Sequence, residues 1–134
     1  MINRVSAPGL HARAYFNRYS NDAVDLCDVL GSFGASGKMK LDEISRILGL
    51  AGKPDGIDGG KVEAMISAGQ IDEVARYCET DVVNTYRLWL IYELFRGAIT
   101  PEQLAWSERQ LGDYVRQRKL GNPHLQAAMD LLPP

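Results

Sequence analysis

From Ile71 to Arg96 the chain runs 26 residues without a glycine or a proline, and Gly97 follows immediately. Nothing in that stretch interrupts a helix, and glycine just past its end is a common helix stop. A helix of this length, about 38 Å at 1.5 Å per residue, is long for a chain of 134 residues. The rest of the fold must therefore pack around it. At about 100° per residue, Tyr77, Leu88 and Phe95 nearly coincide. Val74, Cys78, Trp89 and Tyr92 fall to one side of that line and Ile91 to the other. This sector predicts the face turned toward the protein, with Arg76, Glu79, Thr80 and Arg87 on the opposite face. Asp81 lies inside the apolar sector, one turn after Tyr77. A carboxylate there needs a cation, hydrogen-bond donors or a metal. An ordinary pairing with an arginine from another element meets that need as well as a metal does.

The flanking segments also read as helices. LDEISRILG carries Leu41, Ile44, Ile47 and Leu48 at helical spacing and ends at Gly49. Asp58 can cap a helix through KVEAMISA that Gly69 stops. Thr100-Pro101-Glu102-Gln103 combines a capping hydroxyl, a first-turn proline and a Gln that can reach back. The helix it starts runs to about Lys119, Gly121 closes it, and Asn122-Pro123 opens a last short one. Residues 1–22 read as irregular. AVDLCDVLG, Ala23 to Gly31, fits a short strand or a helix start, and periodicity leaves both open.

The formal net charge is −2, so no global basic field announces nucleic acid, although a strand-end enzyme needs only a local channel. No apolar run can span a membrane, and MINRVSAPGLHARAYF is a poor signal peptide, which predicts a cytoplasmic protein. Cys27 and Cys78 form no short-spaced motif and read as buried free thiols. His11 and His124 lie at opposite ends of the chain, against a His/Cys zinc site.

YCETD in a long helix resembles the third motif of the DEDD 3′–5′ exonucleases, in the subclass with Tyr; the His subclass has His where Arg76 stands. The wider stretch, with its DL element at Asp25-Leu26, its GKPDGIDGGKV loop and YCETDVVNTY, resembles the C-terminal half of a bacterial family of predicted 3′–5′ exonucleases. That family is related to the proofreading domain of family-B DNA polymerases. The likeness covers about Pro8 to Gly97, and more loosely the helical tail. It implies a ribonuclease-H-like α/β parent fold. The present chain is then mainly helical with at most one or two short strands, one of them near residues 23–28. Three regions follow: an irregular 1–22, an exonuclease-like 23–97 and a helical extension 98–134.

The resemblance also implies a chemistry. In such enzymes four carboxylates hold two Mg²⁺ or Mn²⁺ ions that clamp the attacking water and the leaving 3′ oxygen. Asp81 is the implied metal ligand and Tyr77 the implied orienter of the water, since a phenol is a poor unaided base at neutral pH. The family's first motif is Asp-x-Glu, and no Asp in this chain has Glu two positions later. Its second pairs an Asn with an aromatic-Asp; Asn17 to Asp22 offers only a superficial match, because Asn21 stands where the aromatic belongs. Both motifs are expected upstream, so the chain by itself should be inactive and bind these ions weakly.

Asp25 reads as a loop anchor or cap. Lys53 and Lys61 could touch a DNA phosphate or be solvated loop lysines. Arg109, Arg116, Arg118 and Lys119, beside Glu108 and Asp113, read as a solvated helix face. Trp89 and Trp106 read as packing residues, and Asn84 and Thr85 as partners of Asp81 or helix-packing polars. The expected substrate is a nucleic acid 3′ end, DNA before RNA. The inward face of the long helix, without its sheet, predicts an exposed apolar patch, self-association or a complementing chain. The alternative is a non-catalytic helical module for interaction or nucleic-acid binding.

Overall fold

The computed structural model describes residues 23–52, 59–118 and 124–125. The readings placed on residues 1–22, His11 included, and on Lys53, Asp58, Lys119, Gly121 and Asn122-Pro123 lie outside these. The chain divides into two compact units, 1–39 and 40–134.

In the first unit Leu26–Leu30 form a short helix, α1. Asp25 caps it, its Oδ1 accepting from the Asp28 amide at 3.1 Å. The segment expected to hold a short strand is therefore helical: the capping carboxylate satisfies a first-turn amide that a strand would leave to a neighbour. A 3₁₀ turn, Ser32–Gly34, follows, with Ser32 and Phe33 in left-handed conformation.

The second unit holds α2 (Leu41–Ile47), a 3₁₀ turn (Gly59–Lys61), α3 (Val62–Ser67), α4 (Ile71–Phe95) and α5 (Pro101–Arg118). No strand occurs among the described residues. The glycine stops fall where the sequence puts them, with Gly49, Gly69 and Gly97 all at positive φ. Helix α4 is central: α2, α3 and α5 each pack against it. The core is small. Val83 of α4 meets Val115 of α5 and Leu125 of the tail, with Leu111 alongside. The tail is further tied to α4 by His124, whose Nε2 lies 2.6 Å from Glu79 Oε2.

The buried face of α4 is not the predicted one. Tyr77 and Leu88 are buried as expected, but so are Thr80, Val83, Asn84, Arg87 and Leu90. Cys78, Trp89 and Phe95, expected inside, are exposed. The buried sector is thus turned roughly a quarter of the circumference from the predicted one, at about 100° per residue. The reason is α5. Arg87, only 1% exposed, lies under it, and its Nε donates to both oxygens of Glu108 at 3.1 and 3.2 Å. Thr80 satisfies its hydroxyl within the helix by donating to the Arg76 carbonyl at 3.1 Å. Polar residues whose hydrogen bonds are met can be buried.

The start of α5 has the reciprocal cap that its sequence predicts. Thr100 Oγ1 accepts from the Gln103 amide at 3.3 Å, and Gln103 Oε1 accepts from the Thr100 amide at 2.8 Å. Hydrogen bonding to Thr100, then to its own backbone amide, holds the Glu102 carboxyl below its ordinary range. Thr100→Ala is expected to cost about 1 kcal/mol in a urea melt at neutral pH. A depressed folded pKa stabilises above the unfolded value and is lost as pH falls through the folded one. The difference between wild type and variant should therefore narrow in acid, which urea melts across the carboxylate range will show.

Candidate functional site

Both residues that the motif resemblance singles out come from the first half of α4. Tyr77 and Asp81 are four residues apart, so they stand one above the other, about 6 Å along the axis. Tyr77 is buried. Asp81 is half-buried, and its Oδ1 is enclosed by protein. The inward placement expected for this carboxylate is what the structure has.

The next turn fixes the local surroundings. Asn84 is buried, and its Nδ2 donates to the Gly52 carbonyl at 3.1 Å, tying α4 to the chain that leaves α2. Gly52 has φ +65, and a Cβ there would lie 2.8 Å from Asp42 Oδ1 and 3.1 Å from Arg46 Cγ. The left-handed conformation favours glycine, and a side chain there would also have to displace the ends of Asp42 and Arg46. Asp42 and Arg46 form their own pair one turn apart on α2, at 3.2 Å. Of the two polar residues after Asp81, Asn84 is thus a packing residue with a defined bond, and Thr85 is exposed.

The remaining candidates scatter. Lys61 is exposed at the end of the 3₁₀ turn before α3, and Lys53 lies outside the described residues. Asp25 is the cap of α1, in the other unit. Trp89 and Trp106, read as packing residues, are 36% and 58% exposed. Cys27 and Cys78, read as buried, are free and exposed. Arg109 and Arg116 lie on a solvated face, Arg116 paired with Asp113 at 2.6 Å. Arg87, which the sequence placed outside, is the buried cation of α4; no local pattern marks it, because its partner stands 21 residues on.

Among the described residues no three His, Cys, Asp or Glu side chains converge where they could hold a metal ion. A two-ion centre needs several carboxylates around the pair. The described residues by themselves therefore do not fit such a centre. A half-buried carboxylate beside a phenol can accept hydrogen bonds and contribute one ligand to a larger site. No helix among the described residues is long and apolar enough to cross a membrane.

A family model described as predicted 3′–5′ exonuclease related to the exonuclease domain of PolB matches residues 9–130 of the 134. The match runs past Gly97 and takes in α5 and most of the tail. No curated protein and no solved structure matches the chain. With nearly its whole length inside that match and YCETD on its central helix, the chain belongs to the family of predicted 3′–5′ exonucleases related to the exonuclease domain of PolB.

Proposed function

We propose that this chain is the part of a metal-dependent 3′–5′ exonuclease that carries the third carboxylate motif, and that it is inactive alone. Its substrate is the 3′ end of a nucleic acid strand, DNA before RNA. Asp81 is its metal ligand, toward Mg²⁺ or Mn²⁺, and Tyr77 the neighbour that orients a water. The observation that carries this reading is the inward Asp81, one turn beyond Tyr77, on the central helix of a chain that the family model spans. The other carboxylates come from outside the described residues, among which no three His, Cys, Asp or Glu side chains form a group that could hold a metal ion. Lys61 is the one described lysine offered for phosphate contact.

A second reading is a non-catalytic helical module that keeps the nuclease-like surface. The burial of Tyr77 favours it, since a residue that orients a water must reach the solvent or the substrate.

One assay separates the two. The chain alone, with 5′-labelled single-stranded DNA and Mn²⁺, is expected to leave the strand at full length. The chain extended by the coding sequence upstream of Met1 is expected to shorten the strand from its 3′ end. Asp81→Asn in that longer protein should return it to background. Shortening by the chain alone, lost in Asp81→Asn, overturns the incomplete site. An upstream frame without an Asp-x-Glu leaves the second reading.

A further inference from the structure

The face of α4 that α2, α3 and α5 leave open has a pattern of its own. Ile71, Ala75, Cys78, Val82 and Trp89 follow one another at intervals of four, three, four and seven, with Tyr86 beside them. All six are exposed, Val82 at 68%. Alternating steps of four and three are the spacing of a seam against another helix. The strip is also graded. Its N-terminal half is small, Ala75 and Cys78, and its C-terminal half is large, Tyr86 and Trp89, whose rings lie 5.8 Å apart.

We propose that this strip pairs with the same strip of a second copy of the chain, antiparallel, about a two-fold axis at Val82. The numbering closes on itself in that arrangement. Ala75 meets Trp89 of the second copy, Cys78 meets Tyr86, and Val82 meets its own counterpart. Small faces large at the Ala75 and Cys78 levels, as tight packing requires, while Ile71 lies beyond the paired stretch, opposite Glu93. A parallel pair sets Trp89 against Trp89 and leaves Ala75 facing Ala75.

Charge agrees with the antiparallel direction. Asp72 and Glu73 stand in the first turn of α4, and Arg96 stands just past its last. Arg96 holds Glu93 of its own helix at 2.8 and 2.9 Å, and antiparallel pairing brings this pair's guanidinium within about one turn, roughly 6 Å along the axis, of Asp72 of the second copy. Both side chains lean toward the N-terminus of their own helix, which shortens the gap. The positive end of each helix also lies beside the negative end of the other.

The contact is limited. The two strips overlap from Ala75 to Trp89, about 21 Å, and a helix is about 10 Å wide. That covers about 400 Å² in total, against about 1,200 Å² for a stable interface. The pair is therefore weak and concentration-dependent. The inference does not rest on the nuclease reading.

Sedimentation equilibrium from low micromolar to submillimolar chain tests it. The expected result is a rise from the mass of one chain toward two. Val82→Glu, at an exposed position, should keep the thermal midpoint and weaken association at least about tenfold, because two carboxylates then meet on the axis. Direction is read by oxidation. With Cys27→Ser, the native Cys78 should form no intermolecular disulfide, since its two copies stand eight residues, about 12 Å, apart along the axis. With Cys27→Ser and Cys78→Ser, Val82→Cys should cross-link into a dimer. A chain that stays monomeric throughout, leaving the strip to a different chain or another segment, overturns the proposal. So do a Cys78 disulfide between copies and a dimer that Val82→Glu leaves intact.

Discussion

Arg87→Ala is expected to lower stability by about 3–5 kcal/mol, the usual cost of leaving one member of a buried ion pair alone. The residue is 1% exposed, and Glu108, its partner on α5, is itself largely covered. Removing the guanidinium strands that carboxylate against α4, where water reaches it poorly. For a chain of this size such a loss corresponds to roughly 10–18 °C in the thermal midpoint. It is a large part of the 5–15 kcal/mol that a domain holds in total, so partial unfolding at 37 °C is the expected state. Calorimetry or circular dichroism measures it. The double variant Arg87→Met, Glu108→Leu should recover most of the loss, because neither charge is then buried and the volume is kept. A single variant that melts with the wild type would mean that α5 does not cover this face of α4.

The second large effect comes from two adjacent residues. Leu90→Ala should cost about 2–5 kcal/mol, the range for emptying a buried leucine site. Leu90 is 2% exposed. Trp89→Ala, one position earlier, should cost less than Leu90→Ala, although it removes a far larger side chain, because Trp89 stands on the open strip and is 36% exposed. The helical wheel drawn from sequence gives the opposite order, since it places Trp89 in the apolar sector. Chemical denaturation of the two variants at low chain concentration, where the strip stays unpaired, decides between the two faces. A tryptophan variant that loses more than the leucine variant would restore the face predicted from sequence.

The two variants also show how much of the protein can be read from its residues. The span of α4 follows from the absence of breakers between Ile71 and Arg96, and Gly97 at φ +74 ends it. The cap at Thr100 and Gln103 and the stops at Gly49 and Gly69 are equally local, each settled within one turn of chain. The segment from Ala23 to Gly31 is ambiguous in sequence for the same reason: nine residues carry too few periods to tell two from 3.6. The structure resolves it through the Asp25 cap. In the site, the placement of Tyr77 and Asp81 one turn apart follows from spacing on one helix, whereas how far each is buried depends on what packs against α4. The tie from Asn84 to Gly52 does not, because it joins residues 32 positions apart.

The sequence by itself determined the span of α4, the glycine stops at Gly49, Gly69 and Gly97, the capped start of α5 and the family the chain joins, since all depend on short-range patterns that survive without the fold. The tertiary structure decided which side of α4 faces inward. That helix offers apolar residues on more than one side, so hydrophobic periodicity alone cannot rank the faces. The choice fell to partners far along the chain: Glu108 neutralises Arg87, Val115 and Leu125 close on Val83, and His124 reaches Glu79. A charged or polar side chain is buried when such a partner meets it, and an aromatic one is left outside when none does.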